Sequence, residues 1–237
     1  MSRYLPNGNR LLAALPDPEY QRLLPYLSPL ALAQRQTLWN PRTRIDAVYF
    51  PCTAMASISA FAEGGDPVEV AAIGNEGVVG LPLFLGSDSS PSGAFVQVPG
   101  EAVRMDAEVF RQESMQEGPL HRILQLYVQA FMTQVSQSTA CTRLHRVDQR
   151  LARWLLTAQD RVGRGEFPMT HEFMAQILGV RRATVTEVAG EFQESGLVRC
   201  RRGAVTILDR AGLRRTCCDC YRVVQEEFDR LFSLAAA

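Results

Sequence analysis

An α+β fold is predicted, with an all-β core in front, a long helix in the middle and a winged helix-turn-helix at the end. Three features of the 237-residue sequence predict it. Between about Thr37 and Met105, short apolar runs are separated by Gly, Pro, Asp and Ser, the texture of a sandwich or barrel. From Leu120 to Val162 there is no Gly or Pro, and apolar residues recur at three- and four-residue steps. From Thr170 to Leu208, two helical stripes meet at Gly179 and lead into a strand–turn–strand with Arg202-Gly203 at its tip.

Whole-chain properties bound what such a fold does. The composition is ordinary for a globular protein, 46% hydrophobic and 21% charged, and no run approaches 18 apolar residues, so neither a membrane span nor a membrane partner is expected. The start of the chain lacks the apolar core and cleavage site of a secretory signal, which makes a cytoplasmic location the expectation. Net charge is zero but unevenly spread. Residues 1–120 carry 8 Arg against 13 acids, and residues 121–237 carry 17 Arg against 12, so the back half is the basic one. There is no lysine; either genomic bias removed it, or the planar guanidinium fork is wanted for phosphates and guanine edges.

The elements follow in order. Leu11, Leu12 and Leu15 form a first apolar cluster, and Asp17-Pro18 is expected to cap a helix carrying Leu23, Leu24 and Leu27. Strands are expected at 48–50, 54–61, 68–73, 94–98 and 102–105, with turns at 63–66, 74–77 and 86–93. After Asp106 the period becomes helical. The long segment then exceeds what one globular packing face needs, which predicts a seam with a second copy through Leu120, Leu124, Tyr127, Phe131 and Val135. Its middle turns polar at Gln134 and at residues 136–139, either as a solvated face or as a polar contact with a ligand or partner helix. The apolar pattern shifts phase around 144–148, which predicts a hinge. The expected units are residues 1–117, a helix and hinge at 118–146, and the helix-turn-helix at 147–237.

In that last unit Thr170 is placed to cap a helix whose Phe173, Met174, Ile177 and Leu178 face inward. The next helix, 181–192, buries Val185, Val188, Ala189 and Phe192 and leaves Arg181, Arg182, Ala183, Thr184, Thr186 and Glu187 facing out. Adjacent arginines oppose the dipole of the helix they begin, so a negative partner outside the chain is the expected reason for them. Double-stranded DNA is that partner. Arg182 is suited to guanine O6 and N7, about 1–3 kcal/mol of discrimination. Glu187 is placed to accept from a cytosine amino group or to orient Arg181 or Arg182. Thr170 and Thr184, with the helix-start amides, suit phosphates, and His171 shares that helix start. Arg201 and Arg202 are expected to reach the flanking backbone.

The run T-x-E-x-x-A-Q-x-L-G-V-x-R-x-T-V from Thr170, with NEGVVGLPLFLG (75–86), VQVPGEAVRM (96–105) and RGAVTILDRAGL (202–213), resembles the Crp/Fnr superfamily of bacterial transcription regulators. The resemblance spans about Arg10 to Phe228. It implies a cyclic-nucleotide-binding-like β-roll (a jelly roll), a long dimerisation helix, a homodimer on a palindromic site, and RNA polymerase as a further partner. Family recognition helices carry Arg, Glu and Arg at positions matching Arg182, Ala183 and Glu187; only the first is present, which implies a different target sequence. The family's nucleotide pocket uses a Glu and an Arg in the form G-E-[LIV]…R-[ST]-A. This chain reads Gly80-Leu81-Pro82-Leu83-Phe84-Leu85 and then Pro91-Ser92-Gly93-Ala94. A buried phosphate diester there lacks a cation, so the effector is expected not to be cyclic AMP. The matching pocket residues, Gly80, Leu81, Leu83, Phe84, Ser92, Ala94, Tyr127, Phe131 and Ser136, imply a space that side chains fill or that takes an unknown small-molecule effector of apolar or weakly polar kind.

No cofactor or metal is expected. Cys52 stands alone, without the cysteine array of the cluster-binding relatives, and His121, His145 and His171 lie outside the roll. Cys217-Cys218-Asp219-Cys220 contains one C-x-x-C, for which only Cys200 and His171 are at hand as further ligands. Core filler on a helix begun by Asp209 is the expected role, with a thiol or metal switch as the alternative; Cys141 is a second candidate for redox chemistry. No nucleophile–base–acid set, phosphate loop or H-E-x-x-H is present, so an enzyme is not expected.

Overall fold

The computed structural model describes residues 8–61 and 68–235; the turn expected at 63–66 lies outside them. Two short helices open the chain, α1 (Arg10–Ala13) and α2 (Asp17–Leu23). Asn9 caps the first by accepting from the Leu11 and Leu12 amides. Asp17 is already helical in the second, and Pro16 holds the N-cap position expected for Asp17. Leu11, Leu12, Leu15, Leu23 and Leu27 are all buried.

The roll follows as β1 (Ser28–Leu32), β2 (Thr37–Trp39), β3 (Ala47–Pro51), β4 (Met55–Ala60), β5 (Val68–Ile73), a one-turn helix α3 (Leu81–Phe84), β6 (Gly93–Val98) and β7 (Gly100–Asp106). Two antiparallel sheets form, in the orders β1-β7-β3 and β2-β6-β4-β5. Val48, Phe50, Val103 and Met105 of the first share a core with Trp39, Ala56, Ile73 and Ala94 of the second. Strands β1 and β2 were not among the expected strands, and β1 contains Pro29. It lies at a sheet edge, where a missing amide costs no ladder bond.

Next come α4 (Ala107–Met115), capped by Asp106, the long α5 (Pro119–Leu144) and α6 (Val147–Val162). His145 and Arg146 take extended backbone angles between the last two, so the uninterrupted segment breaks where the apolar phase shifts. The second core joins α6 to α7 (His171–Leu178) and α8 (Arg182–Glu194) under a three-stranded wing, β8 (Glu166–Pro168), β9 (Val198–Arg201) and β10 (Ala204–Ile207), in the order β8-β10-β9. Two helices finish the described chain, α9 (Arg210–Thr216), capped by Asp209, and α10 (Cys220–Ala235). Cys217 is extended, so Cys217 and Cys220 do not share one helix as expected.

Part of the expected dimer seam is covered within the chain, by helix α10 and the roll. The helix turns back onto α5, where Phe228 packs on Tyr127 with ring centroids 6.3 Å apart and Val224 and Leu231 join the roll's core. Leu120, Leu124 and Tyr127 are buried in this same core, with Phe131 packed against it. The stripe is therefore covered by the chain's own roll and C-terminal helix. A helical stripe reports that something covers it, not which chain does. Outward on α5 are Met132, exposed, and Val135, half-buried.

One buried ion pair joins the two cores. Arg161 near the end of α6 meets Glu76 at 2.9 Å, Nε to Oε1, with side chains 5% and 6% exposed. Its other nitrogens donate to the Ala72 carbonyl and to Gln134 Oε1, and Gln134 Nε2 donates to the same carbonyl at 2.8 Å. Glu76 also accepts from the Gly74 amide. The polar middle of α5 is thus an internal contact at Gln134, while Ser136 stays exposed. Gly74 is required here because a Cβ on it would overlap the Arg161 side chain. Arg161→Ala is expected to cost about 3–5 kcal/mol in urea unfolding, because Glu76 is left charged and buried. Replacing both partners with Met and Leu recovers most of that loss; a single variant within about 1 kcal/mol of the parent would contradict the pairing.

Candidate DNA interface

The turn between α7 and α8 is built by Gly179, which sits in the left-handed region (φ 63°, ψ 41°). The Gly179 amide donates to Gln176 and the Val180 amide to Ala175 at 3.0 Å, the double closure of a Schellman end. Thr170 caps α7 by accepting from the Phe173 amide at 3.2 Å. The chain then leaves Gly179 so that α8 crosses α7 with Val185, Val188, Ala189 and Phe192 buried.

The other side of α8 is open. Arg181, Arg182, Ala183, Thr186 and Glu187 are exposed and Thr184 is half-exposed. Arg181 is the N-cap, in extended backbone, and makes no side-chain capping bond; no acid stands in the first turn. Among the described residues, Arg182 meets one acid, Glu172 of α7, at 3.9 Å with both side chains about 70% exposed. A pair that open to water holds the guanidinium weakly. His171 Nδ1 lies 3.1 Å from Thr186 Oγ1 and ties the two helix starts together. Burial, and then the Arg182 guanidinium, hold His171 below the usual imidazole range, which favours the neutral ring.

The wing stands beside this surface. Arg201 and Ala204 pair across a two-residue turn in which Arg202 (φ 50°) and Gly203 (φ 77°) both have positive φ, the hairpin turn that follows strand twist. The Gly203 carbonyl accepts from the Met169 amide at 2.7 Å and fixes the wing against the start of α7. Thr170, His171, Glu172, Arg182, Arg201 and Arg202 border one groove of about 530 Å³. The structure thus brings Thr170, His171, Arg182, Arg201 and Arg202 to one place and leaves Glu187 farther along α8. Sequence reading missed Glu172, whose carboxylate shares the groove, and Gln193, whose Oε1 accepts from the Cys200 amide at 2.9 Å and braces the wing on α8. The charge of Glu172 and its place one residue after His171 were the available signals.

The residues matched to an effector pocket lie elsewhere. Leu81, Leu83, Phe84, Ala94 and Tyr127 are core residues, and Gly80 is a positive-φ turn (120°) packed on Val48. The Tyr127 hydroxyl donates to the Val78 carbonyl at 3.4 Å, and the Ser92 carbonyl accepts from Trp39 Nε1 at 2.9 Å. A cavity of about 30 Å³, room for a water or two, lies instead between β5, α5, α6 and α10, beside Arg161 and Gln134.

A glycine-turned helix pair with an arginine-tipped wing, set behind a β-roll, defines a winged helix-turn-helix protein. Residues 149–216 match the family model of the Crp-like helix-turn-helix domain. Among solved structures, a Crp/Fnr-family transcriptional regulator of Eubacterium rectale superposes with TM-score 0.65 at 18% identity, covering 91% of this chain and 99% of that one. FixK2 of Bradyrhizobium japonicum gives 0.68 at 13%, covering 81% and 98%; the c-di-GMP-responsive regulator CLP of Xanthomonas campestris gives 0.62 at 16%, covering 82% and 100%. None of the curated proteins matches the chain by sequence. The chain therefore carries a Crp-like helix-turn-helix domain within the fold of the Crp/Fnr transcription regulators. No helix among the described residues is long and apolar enough to cross a membrane.

The wing turn makes a separable prediction. Arg202→Asn keeps a residue that tolerates positive φ and is expected to leave thermal unfolding within about 0.5 kcal/mol of the parent. Gly203→Val puts a β-branched residue at φ 77° and is expected to cost more than about 1 kcal/mol. Equal effects of the two would contradict this turn.

Proposed function

We propose that the chain is a sequence-specific regulator that acts as a homodimer on a two-fold symmetric DNA site, with an effector other than cyclic AMP. The observation that carries this reading is α8 itself: its buried face is complete within the chain, and its other face presents Arg181, Arg182, Ala183, Thr186 and Glu187 to solvent. In the proposed complex Arg182 reads a guanine, and Arg181, Thr170 and Thr184 hold phosphates around it. Arg201 and Arg202 follow the backbone from the wing. Two such heads, one per copy, engage half-sites one helical turn apart, about 34 Å. The second copy pairs along the outward face of α5, past Met132 and Val135, and RNA polymerase is the downstream partner.

The core packing of Leu81, Leu83, Ala94 and Tyr127 supports an effector unlike a cyclic nucleotide. No guanidinium stands among them to meet a phosphate, and a bare buried anion is prohibitively costly. Arg161, the buried arginine near the roll, is already committed to Glu76. Units at 1–117, 118–146 and 147–237 remain the proposed working division, with the break at His145–Arg146 as the hinge.

Affinity for a selected DNA site tests the reading. Arg182→Ala is expected to lose about 1–3 kcal/mol and to relax preference at one base pair per half-site. Arg202→Asn is expected to weaken all sequences alike and to reduce the slope of log affinity against log salt by about 1 per removed phosphate contact. Unchanged affinity in Arg182→Ala would overturn the assignment of α8 as the reading helix.

A further inference from the structure

Four metal-ligating side chains that are far apart in sequence come together where α10 begins. Cys141 lies in the last turn of α5, and His145 is the first residue beyond that helix, four positions on. Cys218 stands in the short connection after α9, and Cys220, beyond Asp219, is the first residue of α10. The donor atoms of all four lie within 4.8 Å of one another. Cys141 Sγ is 3.5 Å from Cys218 Sγ, and Cys220 Sγ is 3.6 Å from His145 Nδ1. The three cysteines form a small buried cluster of their own.

From these distances we propose that Cys141, His145, Cys218 and Cys220 form a structural zinc site that clasps α10 to the end of α5. A tetrahedral ion with Zn–S near 2.3 Å and Zn–N near 2.0–2.1 Å holds its sulfurs about 3.8 Å apart and a sulfur–nitrogen pair about 3.6 Å apart. The two separations above are close to those values before any ligand moves. Three thiolates and an imidazole are a soft donor set that selects zinc over magnesium or calcium. Four protein ligands leave no open position, which is the structural rather than the catalytic arrangement.

The surroundings suit a metal as well. The other imidazole nitrogen, His145 Nε2, is 3.8 Å from Asp219 Oδ1, so a carboxylate stands on the side of the ring away from the sulfurs. A ligating histidine commonly has such a partner, which sets its tautomer. Three thiolates around a divalent ion leave one net negative charge. The guanidiniums of Arg150 and Arg153 on α6 are near enough to act on the cysteine sulfurs, and Arg153 Nε is buried with no hydrogen-bond partner among the described residues. Arg150 also donates to the Leu178 carbonyl at the end of α7. The clasp thus sits at the hinge, one side chain away from the helix-turn-helix, and zinc there fixes the C-terminal helix over the long helix.

Cys217 lies outside the cluster, and its thiol donates to the Arg214 carbonyl at 3.4 Å. The C-x-x-C spacing visible in sequence is therefore not the ligand pair, and neither Cys200 nor His171 joins.

The test is the metal content of the full-length protein purified under anaerobic reducing conditions from zinc-replete cells. About one zinc per chain is expected, retained in Cys52→Ser, Cys200→Ser and Cys217→Ser and reduced at least tenfold in Cys220→Ser and His145→Ala. Asp219→Asn is expected to weaken zinc binding about tenfold through the imidazole. Parent protein stripped by chelator is expected to take up cobalt(II) with thiolate-to-cobalt charge-transfer absorption and tetrahedral d–d bands, a readout independent of whether any variant folds. A folded parent with reduced thiols that binds neither metal would overturn the site, as would a Cys141–Cys218 disulfide in its place or loss of zinc in Cys217→Ser.

Discussion

Arg161 sits in a nearly dry space where three pieces of chain converge: the end of β5, the middle of α5 and the last turn of α6. Its guanidinium carries a full charge there, which is tolerable only because Glu76, Gln134 and the Ala72 carbonyl all face it. Planar, five-donor geometry makes this an arginine site rather than one for any cation. The arrangement also constrains its neighbours. Gly74 must lack a side chain to let α6 approach, Gln134 interrupts the apolar stripe of α5, and the Asn75 amide reaches the Arg161 carbonyl at 3.3 Å. A buried ion pair is weak evidence for stability but strong evidence of registry. Here the registry is that of the helix-turn-helix core against the roll. Phe95 against Phe173, with centroids 6.1 Å apart, and Arg164 donating to the Pro99 carbonyl at 2.7 Å complete the same contact.

The exposed face of α8 follows the opposite logic. Where each guanidinium nitrogen of Arg161 has a partner inside the chain, Arg181 and Arg182 have almost none among the described residues. Helix α8 begins without a side-chain cap or a first-turn acid, which costs about 1 kcal/mol against a well-capped helix. The guanidiniums add to the positive end of the helix dipole. A chain that satisfies Arg161 so fully and leaves these two so bare concentrates unmet positive charge on one face. The wing adds Arg201 and Arg202, and its positive-φ turn at Arg202-Gly203 holds the second of them out from the sheet.

Much of this was legible in the residues because it is local. Alternation between turn residues located five of the seven roll strands. The Gly179 end, the inward stripe of α8 and the Arg202-Gly203 turn each depend on a few adjacent positions. Strand β1 was hidden by Pro29, which is harmless only at an edge, and edge position is a property of the sheet. The break at His145–Arg146 showed only as a phase shift, since it is made by backbone rotation with no Gly or Pro. Longer-range outcomes were not readable. Leu120, Leu124 and Tyr127 announce a buried stripe, but nothing in their spacing says that α10 of the same chain, some ninety residues away, lies over it. Glu76 and Arg161 pair across 85 positions, and Cys141 and Cys218 across 77. The cysteine spacing pointed to Cys217, whereas the fold brought in Cys141 and His145 from the end of α5.

The bare face of α8, one per copy, is proposed to read a symmetric DNA sequence. Selection of binding sites from a random duplex library by purified, reduced, ligand-free protein addresses it most directly. Enrichment of a two-fold symmetric motif is expected, with half-sites about one helical turn apart that each hold a guanine. No enrichment from protein shown to be folded and dimeric, or enrichment of a motif without two-fold symmetry, would contradict it.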